Sequence, residues 1–181
     1  MTDVSLSCHP TSDAGSVKAV EIAIARGENG RVEAVYRVVG ALDMLEIVGR
    51  TAPDRRDELW KTTCFELFIG TNVDSHYLEY NFAPSRQWAA YKFSDYRAEM
   101  AELDASTPQI EVVQGDHILS VTVSLQLLEQ YWDGALRVGV SAILAAKTGA
   151  ISYWALAHPP GKPDFHHKDC FALQLEARSA A

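Results

Sequence analysis

The residues of this chain with the most capacity for chemistry are carboxylates and imidazoles set in apolar or rigid surroundings. In "ELWKTTCFELFIG", residues 58–70, Glu66 and Cys64 interrupt an otherwise apolar run. A buried carboxylate is costly unless it is paired or hydrogen-bonded, so Glu66 needs a local reason. Read as one extended strand, the segment places Trp60, Thr62, Cys64, Glu66 and Phe68 on one face. Leu59, Phe65, Leu67 and Ile69 fall on the other, which reads as core. In "SHYLEYNFAPS", Tyr77, Glu79 and Asn81 share a face opposite Leu78, Tyr80 and Phe82. If the two strands are neighbours with their polar faces aligned, Glu66, Glu79 and Asn81 converge beside Trp60 and Tyr77. Aromatic rings pack on the C–H faces of sugars while carboxylate and amide groups bond hydroxyls, so such a patch suits a saccharide. Trp88, alternating with Ala90 and Lys92, either joins this patch or covers the "APSRQ" turn. The competing expectation makes Glu66 a structural anchor paired with a cation, for which Arg37, Arg97 and Lys92 are candidates.

The loop "HPPGKPDFHHKD" carries His158, Asp164, His166 and His167 within ten residues. Histidine with carboxylate can ligate a transition metal, but this spacing matches no strict zinc motif. Adjacent His166 and His167 point to opposite sides if extended, and Pro159, Pro160 and Pro163 stiffen the connection, so no metal is expected. Haem ligation is not indicated either: there is no CxxCH, and Met44 and Met100 lie in or beside loops. No cofactor is expected. Glu66 and Glu79 could act as an acid and base pair if suitably spaced, but no GxSxG elbow, phosphate loop or HExxH helix accompanies them. Cys64 reads as an inert core thiol.

Strands must position these groups. "SVKAVEIAIAR" and "RVEAVYRVV" alternate at period two around "GENG", which specifies a hairpin. "DMLEIVG" reads as a short strand. Two strands meet at Pro84 and Ser85, "QIEVVQGDHILSVTVSL" turns at residues 114–116, and "ALRVGVSAILAAKTGAISYWALAH" holds two strands around the Lys147 to Gly149 turn. "LQLLEQYWDG" is a helical turn or an irregular crossing, and "CFALQLEA" is the last strand. "SDYRAEMAEL" is the best helical candidate and is short. About ten short strands with little helix predict an all-β sandwich of mainly antiparallel strands, spanning residues 1–181 as one domain.

At 181 residues and 48% hydrophobic content the chain can bury one core. A formal charge of -8 disfavours nucleic acid and anionic membrane as partners, because the summed field repels both. "MTDVSLSCHPTSDAGS" does not read as a signal peptide, and no run approaches the roughly 18 apolar residues that span a bilayer. Three scattered cysteines fit neither a disulfide framework nor a metal knuckle, so a cytoplasmic, reducing setting is expected.

"LWKTTCFELFIG", "YLEYNFAPSRQWAAYKFSDYR" and "SYWALAHPPGKPDFHHKDCFALQL" together resemble the bacterial DOMON-like proteins related to family 9 carbohydrate-binding modules. That resemblance implies a β-sandwich holding either a sugar or a haem, with Trp60 and Glu66 fitting a recurrent Trp and acidic strand. It further implies that the loop histidines line the pocket without holding metal. The expected function is non-enzymatic binding of a saccharide or small polar metabolite. Its alternatives are a sugar-active hydrolase or isomerase, a haem-binding domain, or a protein-interaction sandwich whose aromatics meet another chain and allow oligomerisation. The site residues expected on this reading are Trp60, Glu66, Tyr77, Glu79, Asn81, Trp88, His158, His166 and His167.

Overall fold

Alternating apolar residues make each half of the first hairpin a strand with one inward face. In the computed structural model, which describes residues 1–176, these are β2 (Val17–Arg26) and β3 (Arg31–Gly40). Val20, Ile22 and Ile24 point inward with Val32, Ala34, Tyr36 and Val38. Val17 is also buried, although strict alternation puts it on the other face. A register shift between Val17 and Ala19 inserts one residue and brings Val17 back to the core side.

The remaining strands are β1 (Thr2–Cys8), β4 (Cys64–Thr71), β5 (Tyr77–Phe82), β6 (Trp88–Phe93) and β7 (Ala101–Glu102). They are followed by β8 (Gln109–Gln114), β9 (Ile118–Gln126), β10 (Leu136–Ala145), β11 (Ile151–Ala155) and β12 (Leu173–Leu175). All named strand pairings are antiparallel. The hydrogen-bonded order is β7-β6-β5-β4-β10-β11-β1-β2-β3-β9-β8, with β12 also on β10. β1 joins two layers: Thr2 to Leu6 pair with β2, whereas Ser7 and Cys8 pair with β11. The layers face each other across the main core. Tyr36 of β3 packs on Phe65 of β4 at 5.0 Å between ring centroids and donates its hydroxyl to the Glu66 carbonyl at 2.8 Å. Fully burying side chains of this size favours folding by about 1.5–3 kcal/mol each.

The two layers differ in what covers their outer faces. β2, β3 and β9 alternate buried with half-exposed residues, as expected for a layer wet on one side. β4 and β5 are buried on both faces, because a second apolar cluster lies on the side turned away from the main core. That cluster includes Cys64, Phe68, Tyr77, Ala89, Tyr91, Phe93, Ile143 and Phe165. Covering it are residues 156–172, whose 3-10 turn Lys168–Cys170 lies against β10. Gly139 permits this approach: a Cβ there would stand 3.2 Å from the Cys170 carbonyl oxygen and 3.3 Å from Phe68 Cβ.

Several expected elements take other forms. The opening segment is not one strand: Leu59–Lys61 form a 3-10 turn and β4 begins only at Cys64. "DMLEIVG" contributes a 3-10 turn, Leu42–Met44, and a single bridge from Leu45 to Ala146 instead of a strand. "SDYRAEMAEL" holds no helix but includes β7, whereas "LQLLEQYWDG" does contain a single helical turn, the 3-10 turn Glu129–Tyr131. The last strand is confined to Leu173–Leu175, and residue 177 of its expected span lies outside the described residues.

Candidate binding site

Register places the polar residues of the middle strands side by side on the face away from the main core. Glu66 lies opposite Asn81 on β5 and opposite Ser141 on β10, while Glu79 lies opposite Phe68 and Tyr91. The two carboxylates are therefore diagonal neighbours across β4 and β5, a separation long side chains can span. Together they line a cavity of about 320 Å3. Phe93 and Ile143 flank them from the sheet, Tyr153 enters from β11, and Trp60 enters from its 3-10 turn. Arg97, Met100, Pro163, Phe165 and His166 close it from the loops.

Among the described residues each carboxylate accepts one side-chain hydrogen bond. Ser141 Oγ donates to Glu66 Oε2 at 2.9 Å, and Asn81 Nδ2 donates to Glu79 Oε1 at 2.7 Å. Glu66 is 3% exposed, Glu79 5% and Asn81 0%. Asn81 is thus beneath the cavity as the support of Glu79, and the Cys64 thiol contacts its amide oxygen at 3.9 Å. Burial disfavours the charged form of both acids and raises both proton affinities; for Glu66 the nearby Glu79 charge adds to the effect. The Ser141 and Asn81 hydrogen bonds and the Arg97 charge act in the opposite sense. No cation bonds Glu66 among the described residues: Arg97 donates to Asp164 Oδ1 at 2.9 Å.

His166 is oriented by a relay. The Arg97 backbone N–H donates to Tyr77 Oη at 3.1 Å, and Tyr77 Oη lies 2.8 Å from His166 Nδ1. With its oxygen already accepting, the phenol donates to Nδ1, which leaves the proton of a neutral imidazole on Nε2. Nε2 faces Glu79 Oε2 at 3.7 Å, too far for a direct hydrogen bond. Burial, and secondarily the Arg97 charge, lowers the His166 pKa to about 4, so the contact is a neutral imidazole near a carboxyl and not an ion pair. Asp164 fixes the loop below: it accepts from Tyr96 Oη, the Arg97 guanidinium and the His166 backbone N–H.

The structure separates the expected residues into groups. Trp60, Glu66, Glu79 and His166 line one cavity, and Tyr77 and Asn81 hold two of its polar groups from outside it. Trp88 is not there: it lies opposite Phe82 and packs into the main core between the layers. His158 is displaced to the sandwich edge, where Nε2 meets the Ser7 carbonyl at 2.8 Å and the ring stands edge-on to His9 at 4.8 Å. His167 is not among the residues lining this cavity: it lines a neighbouring one together with His166 and accepts the Asp169 N–H at its own 3-10 turn. Tyr153, Phe165, Phe93 and Arg97 complete the walls and were not among the expected ligand contacts. Phe93 had a readable signal, since the 83–87 connection sets Phe82 against Trp88 and so Tyr77 against Phe93.

Among the described residues no three His, Cys, Asp or Glu side chains converge as metal ligands. Met100 and His166 share the cavity, but two buried carboxyls line it beside them, and such groups disfavour an apolar macrocycle carrying anionic propionates, so the residues present do not fit haem.

No family model and no curated protein matches the chain. Solved structures do. A crystal structure of a candidate carbohydrate-binding protein from Bacteroides uniformis superposes with a TM-score of 0.69 at 14% identity, covering 97% of this chain and 86% of that one. A family 9 carbohydrate-binding module from Caldicellulosiruptor kristjanssonii, in complex with glucose, gives a TM-score of 0.59 at 9% identity, covering 94% and 81%. The chain therefore has the all-β sandwich fold of carbohydrate-binding-module-like proteins.

Proposed function

We propose that the protein binds a saccharide or sugar-containing metabolite without transforming it, as one sandwich domain in a reducing, cytosolic setting. The observation that carries this reading is the meeting of Glu66, Glu79 and the His166 Nε2 proton at a small cavity walled by Trp60, Phe93, Tyr153 and Phe165. Hydroxyl groups donate to the carboxyl oxygens and accept from the imidazole, while ring faces cover the C–H surface of a sugar. One hydroxyl placed between His166 Nε2 and Glu79 Oε2, 3.7 Å apart, bonds both. At about 320 Å3 the cavity is at the lower end of ligand pockets, which favours a single ring over a chain. The fold likeness to a candidate carbohydrate-binding protein and to a glucose-bound module supports the same ligand class, as does the DOMON-like pattern of the three sequence blocks.

The test is calorimetric titration with a panel of monosaccharides, run beside an assay for product from chromogenic glycosides and free sugars. Saturable heat without product is expected. Turnover that disappears in either Glu66→Gln or Glu79→Gln would replace this reading with a sugar-active hydrolase or isomerase.

A further inference from the structure

The charges around the cavity do not balance. Glu66 and Glu79 both line it, and the hydrogen bond to Glu66 falls on Oε2, so among the described residues Oε1 has no partner. His166 is neutral in the tautomer set by Tyr77. Arg97 contributes a positive charge that favours the ionised form of both acids, but its guanidinium donates to Asp164 and bonds neither of them among the described residues. Two carboxyls, 3% and 5% exposed, are left without a cation of their own. Neutral hydroxyls can bond them but cannot stabilise both in the ionised form in a site largely removed from water. An ammonium group does both, and it is also attracted to the faces of aromatic rings such as Trp60 and Tyr153.

Resting on the saccharide reading, we infer that the ligand is an amino sugar with a free amine, its ammonium group seated between Glu66 and Glu79. Before binding, the carboxyl pair retains a proton; the ammonium enters with its own three, and the carboxyl proton leaves to solvent, with only that O–H bond broken. The other groups facing the pair keep their charge through this exchange. Cys64, packed beside Glu66 on β4, is held neutral by burial, and Tyr91 on β6 is held neutral by burial and its bond to Asp57. From the loops, His166 remains uncharged, and the Arg97 and Asp164 charges persist because each favours the other. Tyr77 stays protonated, with its pKa pushed up to about 12.

The experiment titrates the full chain calorimetrically with glucosamine, galactosamine and mannosamine, with their parent hexoses, and with their N-acetyl derivatives. It is run near about pH 6, where a primary amine is protonated, in two buffers of different ionisation enthalpy. At least one amino sugar is expected to bind about tenfold or more tightly than both of its neutral counterparts and to release a proton to buffer. Glu79→Gln should bring the amine preference close to parity and suppress the proton release. Hexoses binding as tightly as their amines would overturn the amine inference and leave the saccharide reading standing. Methylammonium binding as tightly as the amino sugars would support the cation site while removing the sugar from it. No binding by any member of the panel would overturn both.

Discussion

Replacing Glu66 with glutamine should stabilise the empty protein at neutral pH and leave it nearly unchanged in acid. In the unfolded chain a glutamate ionises near its ordinary pKa of about 4.3. In the fold, burial and the Glu79 charge raise the Glu66 pKa well above that. Below the unfolded pKa both states are protonated and the carboxyl contributes no difference. As pH rises through it, the unfolded chain loses its proton while the folded one keeps it, so stability falls until the folded pKa is reached. Each pH unit in that interval costs about 1.4 kcal/mol, and the two units between about pH 5 and pH 7 bring roughly 3 kcal/mol. The substituted amide has no carboxyl proton to lose and still offers an oxygen to Ser141, which now donates to the carboxyl at 2.9 Å. Water entering the cavity screens part of the penalty, which leaves a gain of about 1–3 kcal/mol at pH 7, or roughly 3–10 °C in Tm for a chain of this size. The assay is urea denaturation of both proteins at a series of pH values. An E66Q that is destabilised by the same amount at every pH, or a difference that shrinks as pH rises, would refute a buried and mainly protonated Glu66.

Other changes probe the walls and the frame separately. Trp60→Ala should weaken saccharide binding about tenfold, read by titration, while shifting stability by less than about 1 kcal/mol, because the half-buried ring rests edge-on to Tyr91 at 6.2 Å outside the main core. Arg26→Met should cost roughly 2–4 kcal/mol in urea, since the buried guanidinium donates to the carbonyls of Tyr131, Trp132 and Gly134 and would leave three acceptors unpaired. Gly30→Ala should destabilise by about 2 kcal/mol or more by the same assay: φ there is +72°, and a Cβ would overlap the Trp132 ring.

How far the site could be read from the sequence follows from how far each residue's position is local. Alternation within a strand is local, and bringing Glu66 opposite Asn81 and diagonal to Glu79 needs only that β4 and β5 be consecutive and antiparallel in this register. Ser141 was not legible, because its place opposite Glu66 depends on β10 pairing with β4 across some seventy residues of chain. Trp60 reached the cavity by a different route from the one its spacing suggests: a 3-10 turn, not strand parity, points it inward. β1 alternates Val4, Leu6 and Cys8 with Asp3, Ser5 and Ser7 at period two, but nothing local in that pattern shows that it is the strand that joins the layers. The histidine loop shows the limit most clearly. Composition marked four polar groups there, but a rigid Pro-rich segment cannot aim them all at one point. Of the adjacent pair only His166 lines the cavity of Glu66 and Glu79, while His158 lies before the double proline and is tied to Ser7 of β1. What selects His166 is the Asp164 side chain, which accepts the His166 backbone N–H while binding Tyr96 and Arg97 from another loop. The placement of His166 therefore depends on a contact between segments nearly seventy residues apart, and no pattern within "HPPGKPDFHHKD" alone encodes it.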